Sequence, residues 1–167
     1  GIAPIVEGNV VPVIMGGDHS ITLPILRAVA KHHGPVALVH LDAHSDTGSD
    51  YFGKPYNHGT TFHWAIEEGL MLPEQSTQLG IRGPLYSRGS LDYARSKNFA
   101  VITGWELHDI GMRAAVERVR DAEQRGRGGQ HVAQRTGHRA SLAVKSGVRQ
   151  SMAGSQQLPI STVGQRT

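Results

Sequence analysis

Asp42, His44 and Asp46 stand at every second position at the end of an apolar run, Val36 to Leu41. If the backbone is still extended there, all three side chains leave on one side. Two carboxylates and an imidazole converging at the tip of a buried strand repel and desolvate one another unless a cation offsets the cost. The set is rich in oxygen and free of sulfur, which suits Mn or Mg better than a structural Zn. Taken by themselves, the same residues read equally well as a solvated acidic turn.

The elements around them supply further candidates. Val10 to Met15 reads as a strand running into Gly16-Gly17-Asp18-His19-Ser20, where two glycines permit a tight turn that lifts His19 out at the strand end. Ile25, Leu26, Val29 and Ala30 then trace a helix, capped by Ser20 or Thr22 and ended by Gly34. With the strand Val36 to Leu41 this makes a βαβ unit, whose parallel connection brings His19 to the sheet edge that carries Asp42 and Asp46. His40 shares the parity of Asp42 but lies deeper in the strand, so it reads as a packed core histidine. His32 and His33 complement the end of a helix dipole.

A loop rich in Gly, Tyr and Asn, residues 47–59, leads to Asn57-His58-Gly59-Thr60-Thr61 and a helix marked by Phe62, Ala65, Ile66 and Leu70. His58 sits at the loop-to-helix junction. It is a candidate for proton transfer, or an ordinary surface histidine. Ser76 to Arg82 and Phe99 to Thr103 read as strands, Leu91 to Lys97 as a helix capped by Ser90, and Asp109 caps a last helix carrying Met112, Ala115, Val116 and Val119. Alternating strands and helices predict an α/β fold with a mostly parallel sheet.

Composition sets bounds. The 167 residues contain 38% hydrophobic residues and no cysteine, so a globular core is affordable and disulfides and thiolate metal sites are excluded. A reducing, cytoplasmic setting is the expectation, with no membrane span and no signal segment. The net charge of +3 is unevenly placed: residues 121–167 carry +5 and residues 1–120 carry −2. All nine aromatic residues lie at or before Trp105. The chain is therefore expected to divide into a partial α/β domain, residues 1–120, and a disordered basic tail, residues 121–167. Without aromatics to stack on bases, that tail is not expected to bind nucleic acid.

Gly16-Gly17-Asp18-His19-Ser20, Leu41-Asp42-Ala43-His44-Ser45-Asp46 and Asn57-His58-Gly59-Thr60, in this order and spacing, resemble the ureohydrolase (arginase and agmatinase) family, most of all its agmatinase branch. Asp50-Tyr51-Phe52-Gly53, Gly80-Ile81-Arg82-Gly83 and Val101-Ile102-Thr103 add to the likeness. The resemblance implies a three-layer α/β/α fold and a centre of two manganese ions. It also implies a small guanidino substrate, cleaved to an amine plus urea by water activated between the ions, and assembly into homo-oligomers. Carried over by position, His19, Asp42 and Asp46 would hold one manganese; His44 and the second oxygen of a bridging Asp42 would hold the other. Asp18 would support a ligand, and His58 would carry protons. Thr61 stands where proline is more usual in the family, a difference expected to matter little.

The family pattern continues with a strand ending in Asp-x-Asp that completes both ion sites, and with a later Glu near the substrate. Here no Asp or Glu follows Glu123. The expectation is thus a truncated member of the family, also lacking the first part of the domain, with a tail that a reading-frame shift near codon 121 would explain. Its second ion site would be incomplete and its turnover weak, and a catalytically inactive remnant is the alternative reading.

Overall fold

The computed structural model describes residues 1–8, 10–83 and 91–125, and the backbone of residues 141–145. Four parallel strands form one sheet in the order β3-β2-β1-β4: β1 (Ala37–Leu41), β2 (Thr77–Ile81), β3 (Ala100–Thr103) and β4 (Ser141–Lys145). Val39 to Leu41 pair with Thr77 to Leu79, and a register shift at Leu79/Ile81 separates the β2 and β3 ladders. Gly80 takes up that irregularity with φ 92°, which a side chain would resist.

Helices cover both faces. On one side α1 (Ala3–Glu7), α2 (Thr22–His33), α3 (Thr61–Glu67) and α4 (Asp92–Ser96) enclose a core built on Leu26, Leu38, Phe62, Ala65, Ala94 and Phe99. On the other side α5 (Gly104–Gln124) packs Leu107, Ile110 and Ala115 against Leu79 and Ile102. Adjacent residues Val101 and Ile102 face opposite layers, as the two-residue period of a strand requires. The result is the three-layer α/β/α arrangement expected from the sequence.

The chain steps from β1 to β2 to β3 in one direction, whereas β4 lies on the other side of β1. In open parallel sheets the crevice beyond the strand ends at such a reversal is where ligands bind. The Asp42 to Asp46 segment leaves β1 at that point.

Several elements differ from expectation. Val10 to Met15 is not a strand: it runs beside the core with Val13 89% and Met15 93% exposed. An apolar segment becomes a strand only if a neighbour takes its backbone groups. The edges of β1 are filled by β2 and β4, Pro12 removes one donor, and no ladder forms with this segment among the described residues. α5 starts at Gly104, where the Thr103 hydroxyl caps it by accepting from the Glu106 N–H, and Asp109 is already inside it. The helix is broken at Gly111 (φ 75°) and continues to Gln124, past the boundary expected at residue 120.

Within the expected disordered tail, Ser141 to Lys145 form β4, in register with Ala37 to Leu41. The open edge of β1 offers these five residues backbone partners that a low-complexity composition does not reveal. The rest of the expected tail, residues 126–140 and 146–167, lies outside the described residues, as does Ser90.

Candidate metal centre

Three segments meet beyond the C-terminal end of β1. The first is the His19 to Ile21 turn, opened by Asp18, whose carboxylate accepts from the N–H (3.0 Å) and the hydroxyl of Ser20. These hydrogen bonds hold the Asp18 carboxyl below its usual range, helped by the charges of His58 and His19. The second is Asp42 to Asp46, where the extended backbone ends: Asp46 adopts φ 48°, a left-handed conformation uncommon outside glycine, which turns its carboxylate back towards His19. The third is the His58 to Thr60 turn, closed by a capping box between Asn57 and Thr60.

The start of α3 joins the first two. The Phe62 N–H donates to the Asp46 carbonyl (2.9 Å), and the buried Thr61 hydroxyl donates to the His19 carbonyl (3.2 Å). A proline at position 61 has no hydroxyl to offer, so the Thr61 difference, expected to be neutral, has a structural consequence. Behind the site the Phe62 ring lies 5.3 Å from the His19 ring and 4.5 Å from the His40 ring.

His19 Nδ1 donates to Asp46 Oδ2 at 2.5 Å and lies 4.0 Å from Asp42 Oδ2. His40 Nε2 is 3.6 Å from that same Asp42 oxygen. One ligand atom from each of His19, His40, Asp42 and Asp46 lies within 4.8 Å of the others. His44 stands apart from this group, because the chain bends after Asp42 instead of staying extended; its Nδ1 is 3.5 Å from the other oxygen, Asp42 Oδ1, and its ring is half exposed. The His44 N–H also donates to Oδ1 at 2.9 Å, fixing the plane of the carboxylate. Asp42 thus presents one oxygen to His19 and His40 and the other to His44.

His58 is held at the rim. Its Nδ1 is 3.5 Å from Asp18 Oδ2, and both side chains are about half exposed. His40, read from the sequence as core, is indeed fully buried, yet it borders the site. Burial pushes its imidazole below the usual value of 6.5, with Asp42 pulling the other way. The only sign of this in the sequence is its parity with Asp42.

The donor set suits a divalent cation. Two nearly buried carboxylates, Asp42 and Asp46, converge with a buried imidazole, and the Nε2 atoms of His19 and His40 are buried without a hydrogen-bond partner. Oxygen-rich sets with imidazole suit manganese, magnesium or zinc, and no thiolate competes. At Asp42 Oδ1 the residue that stands ready as a second ligand is the half-exposed His44.

A three-layer parallel α/β fold with an Asp/His cluster at its switch point defines an α/β protein with a candidate divalent-metal site. The family can be given more narrowly, since residues 1–133 match the model of the arginase family, and the chain belongs to that family. It is 42% identical over 120 residues to proclavaminate amidinohydrolase of Streptomyces clavuligerus, covering 72% of this chain and 38% of that protein. The solved structure of that relative superposes with a TM-score of 0.61, covering 65% of this chain and 36% of the other. Guanidinopropionase of Pseudomonas aeruginosa is 46% identical over 110 residues, covering 65% of this chain and 34% of the relative. Mitochondrial agmatinase of Gallus gallus is 46% identical over 102 residues, covering 61% and 30%. The chain spans about a third of the length of these relatives.

Proposed function

We propose that this chain carries the metal-binding part of a guanidino hydrolase of agmatinase type, cleaving a small guanidino compound to an amine plus urea. His19, Asp42 and Asp46 would hold one manganese ion, and His44 with Asp42 Oδ1 would hold a second. The observation that carries this reading is the divided Asp42 carboxylate, with His19 4.0 Å from one oxygen and His44 3.5 Å from the other. Relatives named proclavaminate amidinohydrolase, guanidinopropionase and agmatinase support the substrate class.

A guanidinium carbon is a poor electrophile because its charge is spread over three nitrogens. Bound divalent ions supply the Lewis acidity that makes water nucleophilic at neutral pH. The chain's own groups do the rest. The site is closed at the back by Phe62, which keeps bulk water from the buried face of Asp42 and His19. The departing amine leaves only if protonated, and His58, half exposed at the rim and oriented by Asp18, would deliver that proton directly or through water.

A second reading, a non-catalytic remnant that binds a single ion, is favoured by one specific feature: residues 124–167 contain no Asp or Glu. Urea release with manganese from agmatine, guanidinobutyrate and guanidinopropionate separates the two. The hydrolase reading expects slow but measurable urea, reduced by about 10²- to 10⁴-fold in His58→Asn. No urea from any of the three substrates supports the remnant. We further propose a cytoplasmic setting, from the cysteine-free sequence, and assembly with further copies of the chain, for which the exposed Trp105 and Met112 of α5 offer apolar surface.

A further inference from the structure

Four groups crowd the first ion site, but the side chain behind His40 decides which of them can serve as ligands. Gln78 and His40 are register partners on β2 and β1, and both are fully buried. The Gln78 Nε2 lies 2.6 Å from the Ser45 carbonyl oxygen and 3.1 Å from His40 Nδ1. A backbone carbonyl only accepts, so the Gln78 atom facing it is the amide nitrogen; the opposite assignment would press two oxygens together. An amide nitrogen carries two hydrogens, one for each of these neighbours. The arrangement leaves Gln78 Oε1 buried without a hydrogen-bond partner, against which the two contacts of Nε2 must be set.

We infer that Gln78 is a positioning residue that locks His40 in the tautomer protonated on Nε2, so that His40 steers Asp42 and does not itself bind metal. Because Nδ1 accepts from Gln78, the one proton of the neutral ring sits on Nε2. That atom has no hydrogen-bond partner and lies 3.6 Å from Asp42 Oδ2. The contact is longer than a hydrogen bond, but an N–H dipole aimed at a carboxylate oxygen in a buried site favours the rotamer that presents Oδ1 to His44. Of the four groups within reach of one another, His19, Asp42 and Asp46 therefore remain as ligands. The same amide ties the ligand loop to β2 through Ser45, so a single buried side chain fixes both the tautomer and the loop. This assignment deepens the metal-centre reading but does not need it, since the tautomer is a property of the chain without metal.

The test is long-range proton–nitrogen NMR on the full chain labelled with ¹⁵N-histidine, first without metal. His40, identified by loss of its signals in His40→Gln, is expected to show a bonded proton on Nε2 and a bare Nδ1. A proton on Nδ1, with or without one on Nε2, would overturn the inference. Gln78→Leu is then expected to mix the two tautomers and to weaken manganese binding by about tenfold or more. An unchanged His40 spectrum in Gln78→Leu would also overturn it. If the unsubstituted chain shows the expected tautomer but binds no manganese, the metal-centre reading fails and the tautomer assignment stands.

Discussion

His19 Nδ1 lies 2.5 Å from Asp46 Oδ2, although the two stand 27 positions apart in the chain. The contact is made by a turn, a left-handed residue and the first turn of α3. Thr61 donates to the carbonyl of His19 and Phe62 to that of Asp46, so the helix start acts as a clamp. Thr61→Val keeps the side-chain shape and removes the hydroxyl. It is expected to cost about 1 kcal/mol of stability, read by denaturant unfolding, with weaker manganese binding; unchanged values in both would show that the clamp contributes nothing.

Phe62 is fully buried and touches both histidine rings of the site. Phe62→Ala is expected to cost about 3–5 kcal/mol, because the cavity joins the lost apolar burial. Phe62→Leu should lose less in unfolding experiments and retain measurable manganese binding, since it fills most of the same space.

Gly83 packs against the His44 ring, and a Cβ there would stand 2.9 Å from the Ala43 carbonyl oxygen while overlapping the imidazole. Gly83→Ala should therefore displace His44 and leave His19 and Asp46 in place. In a manganese titration the weaker binding step is expected to disappear while the tighter one survives. Loss of the tighter step would place His44 in the first site.

Away from the centre, Arg27 donates to both carboxylate oxygens of Glu68, at 2.8 and 2.6 Å, and these bonds hold the Glu68 carboxyl below its ordinary value of 4.5. A carboxyl depressed in the native state stabilises fully above its unfolded value and loses that contribution as pH falls through the native one. The pair is partly exposed, so Arg27→Ala is expected to cost less than about 1 kcal/mol at neutral pH. The difference between the two proteins should vanish in unfolding measurements at strongly acid pH. A constant difference across pH would mean that Arg27 acts through its contact with Tyr56, whose ring centroid is 5.6 Å away, and not through the ion pair with Glu68.

Much of this was legible in the sequence because the signals are local. The apolar run before Asp42, the glycines before His19 and the alternation of strands with helices all act over a few residues and survived in the structure. The three-layer arrangement followed from that alternation together with the family resemblance. What the sequence hid depends on distant partners. Val10 to Met15 has the composition of a strand but no ladder partner among the described residues, while Ser141 to Lys145 found the free edge of β1 inside a stretch with no periodic pattern. Two-residue spacing suggested that His44 would join Asp42 and Asp46, yet the bend after β1 sends it to the other oxygen of Asp42. His40 and Gln78 look like ordinary strand residues until their register across β1 and β2 is known.

The most direct test of the metal centre is a calorimetric manganese titration of the full chain beside its His19→Ala and Asp46→Asn variants, with folding checked by circular dichroism. One ion is expected to bind clearly more tightly than any second, and each substitution should weaken that step by at least about tenfold while the chain stays folded. A chain that takes up no manganese, or whose tighter step is untouched by both substitutions, would contradict a centre built on His19, Asp42 and Asp46.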